Sequence, residues 1–131
     1  MTHTDATVLS ADIEAMLVAH NHRGMADVRE DMTPGYLLRA AQQISACTSR
    51  VYILTGFPVG DSFETDGPAG AMALYRLCQQ LGSDPVILSD KQVVAALHED
   101  FNCLPLPDGE GDDARAASDA LYRSEPPGLL I

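Results

Sequence analysis

Apolar residues recur along this chain in two rhythms, and the alternation between them predicts its layout. Ile13, Met16, Leu17 and His20 share one face at helical spacing, so Ser10, with Glu14 in the first turn, reads as the opening of a first helix that Gly24 stops. The charged stretch 25–32 reads as a loop. Thr33 and Pro34 suit an N-cap and a first helical position, and Leu37, Ala41 and Ile44 then form the stripe of a second helix ending near Thr48. Val51-Tyr52-Ile53-Leu54 breaks that rhythm. It is a continuous β-branched and aromatic run between Arg50 and Gly56, which fits a strand buried on both faces.

A long connection, Thr55 to Gly70, leads to a third helix striped by Leu74, Leu77, Cys78 and Leu81, with Gly82 as its stop. Val86-Ile87-Leu88 repeats the buried-strand pattern. Ser89 and Asp90 cap a fourth helix whose inward face is Val93, Val94, Leu97 and Phe101. Cys103-Leu104-Pro105-Leu106 is a weaker strand placed at a sheet edge, because proline removes a ladder donor. An acidic turn at 108–113 precedes a helix over 114–123, and Leu129 to Ile131 looks like the start of another buried strand. Strand, helix, strand, helix is the grammar of an α/β protein. The expected architecture is three-layer and Rossmann-like, a mostly parallel sheet of about four strands flanked by helices. Residues 1–131 are read as a single α/β domain. Two readings of its apolar end stay open: a terminal strand paired inside the sheet, or the leading piece of a longer domain.

The 131 residues suit one domain, and 46% hydrophobic content is enough for a core. A formal net charge of -11 makes nucleic acid and anionic membranes improbable partners. Cys47, Cys78 and Cys103 are odd in number and far apart, so the cysteines suggest neither a disulfide framework nor a zinc site. The histidines show no ligand spacing, and no metal or cofactor is expected. Met1 to Thr7 carries no targeting pattern, no apolar run approaches a membrane span, and a cytoplasmic location is the expectation. Self-association through the terminal strand is a further possibility.

The chemistry points to the connection after the first strand. Its length exceeds the roughly 2–6 residues usual between a strand and a helix. It lies where open α/β sheets bind ligands. Gly56, Gly60, Gly67 and Gly70 allow close backbone approach. Pro68 sits where a first helical residue would, with Thr65 or Asp66 as cap, so the amides that follow favour an anion. Asp61, Glu64 and Asp66 supply the opposite feature and suit an ammonium group, a hard cation or proton exchange. Together they suit a small zwitterion. The plainer alternative is that Thr65 to Pro68 only turns the chain and caps the helix. No Gly-Lys-Ser/Thr follows, and the glycine spacing is not that of a dinucleotide fingerprint. A phosphate ligand is also compatible with such a loop.

Thr55-Gly56-Phe57-Pro58, then Glu64-Thr65-Asp66-Gly67-Pro68-Ala69-Gly70-Ala71, resembles the D-glutamate cyclase-like family. Gly35 to Ala41, Leu81-Gly82 and Val86 to Asp90 extend the likeness more weakly, so that it covers most of the chain from about Ile13. The resemblance implies an α/β fold and conversion of D-glutamate to 5-oxo-D-proline with loss of water. It makes a small acidic amino acid the expected substrate. By position, Glu64 or Asp66 is the candidate for taking the amine proton. Thr55, Gly56, Phe57, Pro58, Thr65, Gly67 and Gly70 are the candidate substrate-binding residues. A non-catalytic relative that binds an acidic amino acid, or forms an oligomer, is the alternative. Arg39, Arg50 and Arg76 are further candidates for a substrate carboxylate, although arginine is more often simply exposed.

Overall fold

Residues 3–21, 24–56, 58–59, 62–63, 65–107 and 111–131 are described by a computed structural model of the chain. They form two compact units, Met1–Ala46 and Cys47–Ile131. The first holds α1 (His3–Leu17), α2 (Met25–Asp31) and α3 (Tyr36–Ala46). Here the sequence expectations need three corrections. α1 starts at His3, so Ser10 is an interior residue and not a cap. Stretch 25–32 is mostly helical, because Met, Ala, Arg and Glu are good helix formers and Asn21 Oδ1 accepts the Ala26 N–H at 2.8 Å. α3 begins after Pro34, not at it. The carbonyls of Pro34 and Thr33 accept the Arg39 guanidinium, each at 2.7 Å.

The cap of α3 comes instead from α1. Glu14 accepts the Gly35 and Leu37 amides at 3.1 Å each, and the Ser10 hydroxyl accepts the Leu38 amide at 3.1 Å while donating to Glu14 at 2.9 Å. These are amides at and just before the helix start, which lack intrahelical partners, so α1 satisfies what α3 cannot. Glu14 is only 1% exposed. Burial pushes its carboxyl pKa up, but the amides of Leu37 and Gly35, the Ser10 hydroxyl and the Arg29 charge outweigh that and hold it below the ordinary 4.5.

The second unit holds β1 (Arg50–Leu54), β2 (Pro58–Val59), β3 (Ser62–Phe63), α4 (Asp66–Gln80), β4 (Asp84–Ser89), α5 (Lys91–Leu97), β5 (Cys103–Pro105), α6 (Asp112–Ser124) and β6 (Leu129–Leu130). A four-stranded sheet runs β5-β4-β1-β6 with every pairing parallel, and β2 and β3 form a small antiparallel pair. The two apolar runs are its centre: Val51, Tyr52, Ile53, Val86, Ile87 and Leu88 are at most 1% exposed. Burial of such side chains contributes roughly 1.5–3 kcal/mol each.

Strand alternation divides them between two faces. Tyr52, Val86 and Leu88 pack with Leu104, Leu106, Leu121 and Tyr122, which brings α6 onto one face. Tyr52 also meets the Tyr122 ring edge-on at 5.7 Å and donates its hydroxyl to the Glu125 carbonyl at 2.8 Å. α4 and α5 cover the other face with Ala71, Tyr75, Cys78 and Val93, so the fold is three-layer α/β. On α4 the buried stripe is Pro68, Ala71, Tyr75 and Cys78; the expected Leu77 and Leu81 are exposed. Tyr75 decides that rotation, since its ring packs edge-on against Phe101 at 5.2 Å and its hydroxyl accepts the Asn102 amide. Burial raises the Cys78 thiol pKa above 9.0, which fits a packing role. Among the described residues no helix is long and apolar enough to cross a membrane.

Candidate functional site

The chain leaves β1 for β4 and β5 on one side, then returns to lay β6 on the other. Connections therefore diverge at β1, and an open parallel sheet has its ligand crevice where they diverge, beyond the strand C-termini. A cavity of about 420 Å³ lies there. Ile53 to Gly56 come from the end of β1, Ile131 follows β6, and Asp66, Gly67, Gly70, Ala71 and Leu74 come from the first turns of α4. That volume is within the roughly 300–1,000 Å³ of small-molecule sites.

Each wall has a local cause. Leu54 N–H donates to the Ile131 carbonyl at 2.8 Å, and Ile131 N–H to the Tyr52 carbonyl at 2.9 Å, which extends the β6 pairing past its last strand residue. Gly56 turns the chain out of β1 with φ +90. A Cβ there would come within 3.0 Å of the Ser89 hydroxyl and lie 3.1 Å from both Asp90 Oδ2 and Val93 Cγ2. Gly67 also passes close, though with more room: its Cβ would sit 3.0 Å from Thr55 Oγ1. A Cβ on Gly70 would meet nothing within 4 Å.

Of the residues singled out from sequence, Thr55, Gly56, Asp66, Gly67 and Gly70 converge on this crevice. Thr65 is the N-cap of α4 but makes no side-chain cap bond; Asp66 Oδ1 instead accepts the Gly67 amide at 3.0 Å. α4 accordingly starts at Asp66, and Pro68 is its third residue, not its first. Pro58 is placed in β2, where it pairs with Phe63. Phe57 and Glu64 lie outside the described residues, as do Gly60 and Asp61.

Arg50 and Arg76 are not among the lining residues, and Arg39 belongs to the first unit. Arg39 is held by two carbonyls, Arg50 pairs with Asp84 at 2.6 Å and with Glu125, and Arg76 lies over the Phe101 ring at 5.4 Å. Among the described lining residues the charged side chain is Asp66, and the start of α4 contributes the positive end of its dipole rather than a row of free amides, since Pro68 has no N–H and Asp66 holds that of Gly67. No group of three His, Cys, Asp or Glu among the described residues is arranged to hold a metal ion. Sequence reasoning missed Ile53, Leu54, Leu74 and Ile131 as walls. The terminal apolar run was the signal for Ile131, once paired beside β1. It also missed Ser89, fully buried behind the crevice, whose hydroxyl donates to the Thr55 carbonyl at 2.6 Å.

The sequence pattern of the family described as D-glutamate cyclase-like, C-terminal, matches residues 13–123. No curated protein matches the chain.

Proposed function

This chain belongs to the D-glutamate cyclase-like family, C-terminal type, and on that premise we propose that it binds an acidic amino acid in the β1/β6 crevice and cyclises D-glutamate to 5-oxo-D-proline. The observation that carries the reading is the crevice itself, with the positive end of the α4 dipole and a carboxylate, Asp66, on one rim and apolar walls below. The α-carboxylate docks at the positive end of the α4 dipole. Asp66 faces the ammonium. Leu74, Ile131 and Ile53 flank the methylene chain.

The reaction needs the amine neutral. Asp66, or Glu64 beside it in sequence, takes a proton from the ammonium, and the amine nitrogen attacks the γ-carboxyl carbon. A tetrahedral centre forms, the nitrogen gives up a second proton, one carboxyl oxygen collects both protons, its C–O bond breaks and water leaves. Hydrogen-bond donors on the other oxygen stabilise the charge that develops there. The Thr55 hydroxyl, in the crevice wall beside Gly67, suits that place.

A second reading has a specific observation in its favour. Asp66 is the single charged side chain among the described lining residues, and none of those residues is cationic, which is sparse equipment for catalysis. A non-catalytic binding domain needs no proton-transfer pair. Incubation with D-glutamate, followed by chromatography for 5-oxo-D-proline, separates the two. Product formation that falls at least tenfold in Asp66→Asn supports the cyclase. Saturable D-glutamate binding with no product supports the binding domain, and neither product nor binding removes both.

A further inference from the structure

Ser89 belongs to neither glycine-bearing motif, yet it is fully buried at the C-terminal end of β4, and its hydroxyl is committed to the Thr55 carbonyl at 2.6 Å. The same oxygen fills the space beside Gly56 that a side chain would need. Asp90 and Val93 complete that contact, and Asp90 is itself fixed, because its Oδ1 caps α5 through the Gln92 and Val93 amides at 2.8 and 3.0 Å. The Thr55–Gly56 corner is thus held from behind by the end of β4 and the start of α5. From the front, Thr55 Oγ1 abuts Gly67 in the first turn of α4.

We propose that Ser89 is a positioning residue of this site: by pinning the Thr55 carbonyl it sets the Thr55 hydroxyl against the start of α4, where the ligand's carboxyl groups dock. The inference rests on the functional reading above and adds a residue outside the crevice lining. Its physical basis is that the hydroxyl of Thr55 has no rotational freedom beyond its own χ1 once its backbone is fixed at both the carbonyl and the amide, and the amide donates to the Leu88 carbonyl at 3.1 Å. Removing the Ser89 donor frees the carbonyl end. A displacement of about 1 Å at a reacting group costs on the order of a hundredfold in rate.

The test compares Ser89→Ala and Ser89→Cys with Ser83→Ala. The last removes a like hydroxyl-to-carbonyl bond, to Cys47 at 2.6 Å, at the other end of β4 and away from the crevice. The expected result is a fall in kcat for 5-oxo-D-proline formation of about tenfold or more in Ser89→Ala, with KM moving less. Ser89→Cys, which keeps a weaker donor on a bulkier atom, falls between it and the parent. Ser83→Ala keeps its kcat. Equal kinetic losses in Ser89→Ala and Ser83→Ala, or none in Ser89→Ala, overturn the proposal. Should the parent protein form no product, the cyclase reading fails and positioning is decided by amide NMR. A shift of the Gly67 amide in Ser89→Ala and not in Ser83→Ala supports it, and an unmoved Gly67 overturns it.

Discussion

Gly56→Ala tests the geometry of the crevice corner without reference to any ligand. Two costs add. An alanine at φ +90 pays for a backbone conformation that L residues avoid, on the order of 1–2 kcal/mol. Its methyl also enters the space of the Ser89 hydroxyl, with Asp90 and Val93 only 3.1 Å away. Ser89 escapes only by giving up its bond to Thr55, worth about 1 kcal/mol and more if the carbonyl is left unpaired. The sum is roughly 2–4 kcal/mol. Gly82→Ala isolates the first cost, since Gly82 has φ +85 and a Cβ there meets nothing within 4 Å. Urea unfolding at constant m gives both numbers. Gly56→Ala is expected to destabilise by about 1–2 kcal/mol more than Gly82→Ala, the cost of the collision. Equal losses would show that the packing of Ser89, Asp90 and Val93 against Gly56 contributes nothing, and the argument for a clamped corner would fall with it.

Gly70→Ala should raise stability by up to about 1 kcal/mol, because alanine is the better helix former and its methyl projects into open space; the same methyl enters the crevice, so D-glutamate affinity should fall, and a calorimetric titration showing unchanged affinity would count against the crevice. The Glu14 cap makes the first unit pH-sensitive. Its folded pKa lies below 4.5, so its stabilising contribution is complete above that value and is lost as pH falls through the folded pKa. Amide exchange at Gly35 and Leu37 should therefore accelerate, relative to Glu14→Gln, as the solution is acidified below pH 4.5; parallel behaviour of the two proteins would contradict the cap.

The sheet was legible because its centre is written in uninterrupted apolar runs, Val51 to Leu54 and Val86 to Leu88, and its edge in the proline of β5. What local pattern could not supply was decided by tertiary contact. Leucine spacing alone turned α4 toward Leu77 and Leu81, whereas Tyr75 found Phe101 and the Asn102 amide and rotated the helix. Ser10 and Glu14 look like a local helix start, but they serve a helix more than twenty residues away, with Leu37 bonded across |i−j|=23. The site divides the same way. Thr55, Gly56, Asp66, Gly67 and Gly70 were visible because turn glycines and a helix start have sequence signatures. Leu74 and Ile131 carry no such signature, the helix-start pattern at Ser89 belongs to Asp90 alone, and only the crossing from β5 to β6 brings Ile131 beside Leu54.

The central claim is that the divergence point at β1 is where this chain meets an acidic amino acid. Amide chemical-shift mapping of the labelled protein during titration with D-glutamate tests it most directly. The account expects saturable shifts at Thr55, Gly56, Gly67, Gly70 and Ile131, lost in Asp66→Asn, with Arg50 and Asp84 at the opposite end of the strands unmoved. Shifts centred away from those lining residues, or none at saturating ligand, would contradict it.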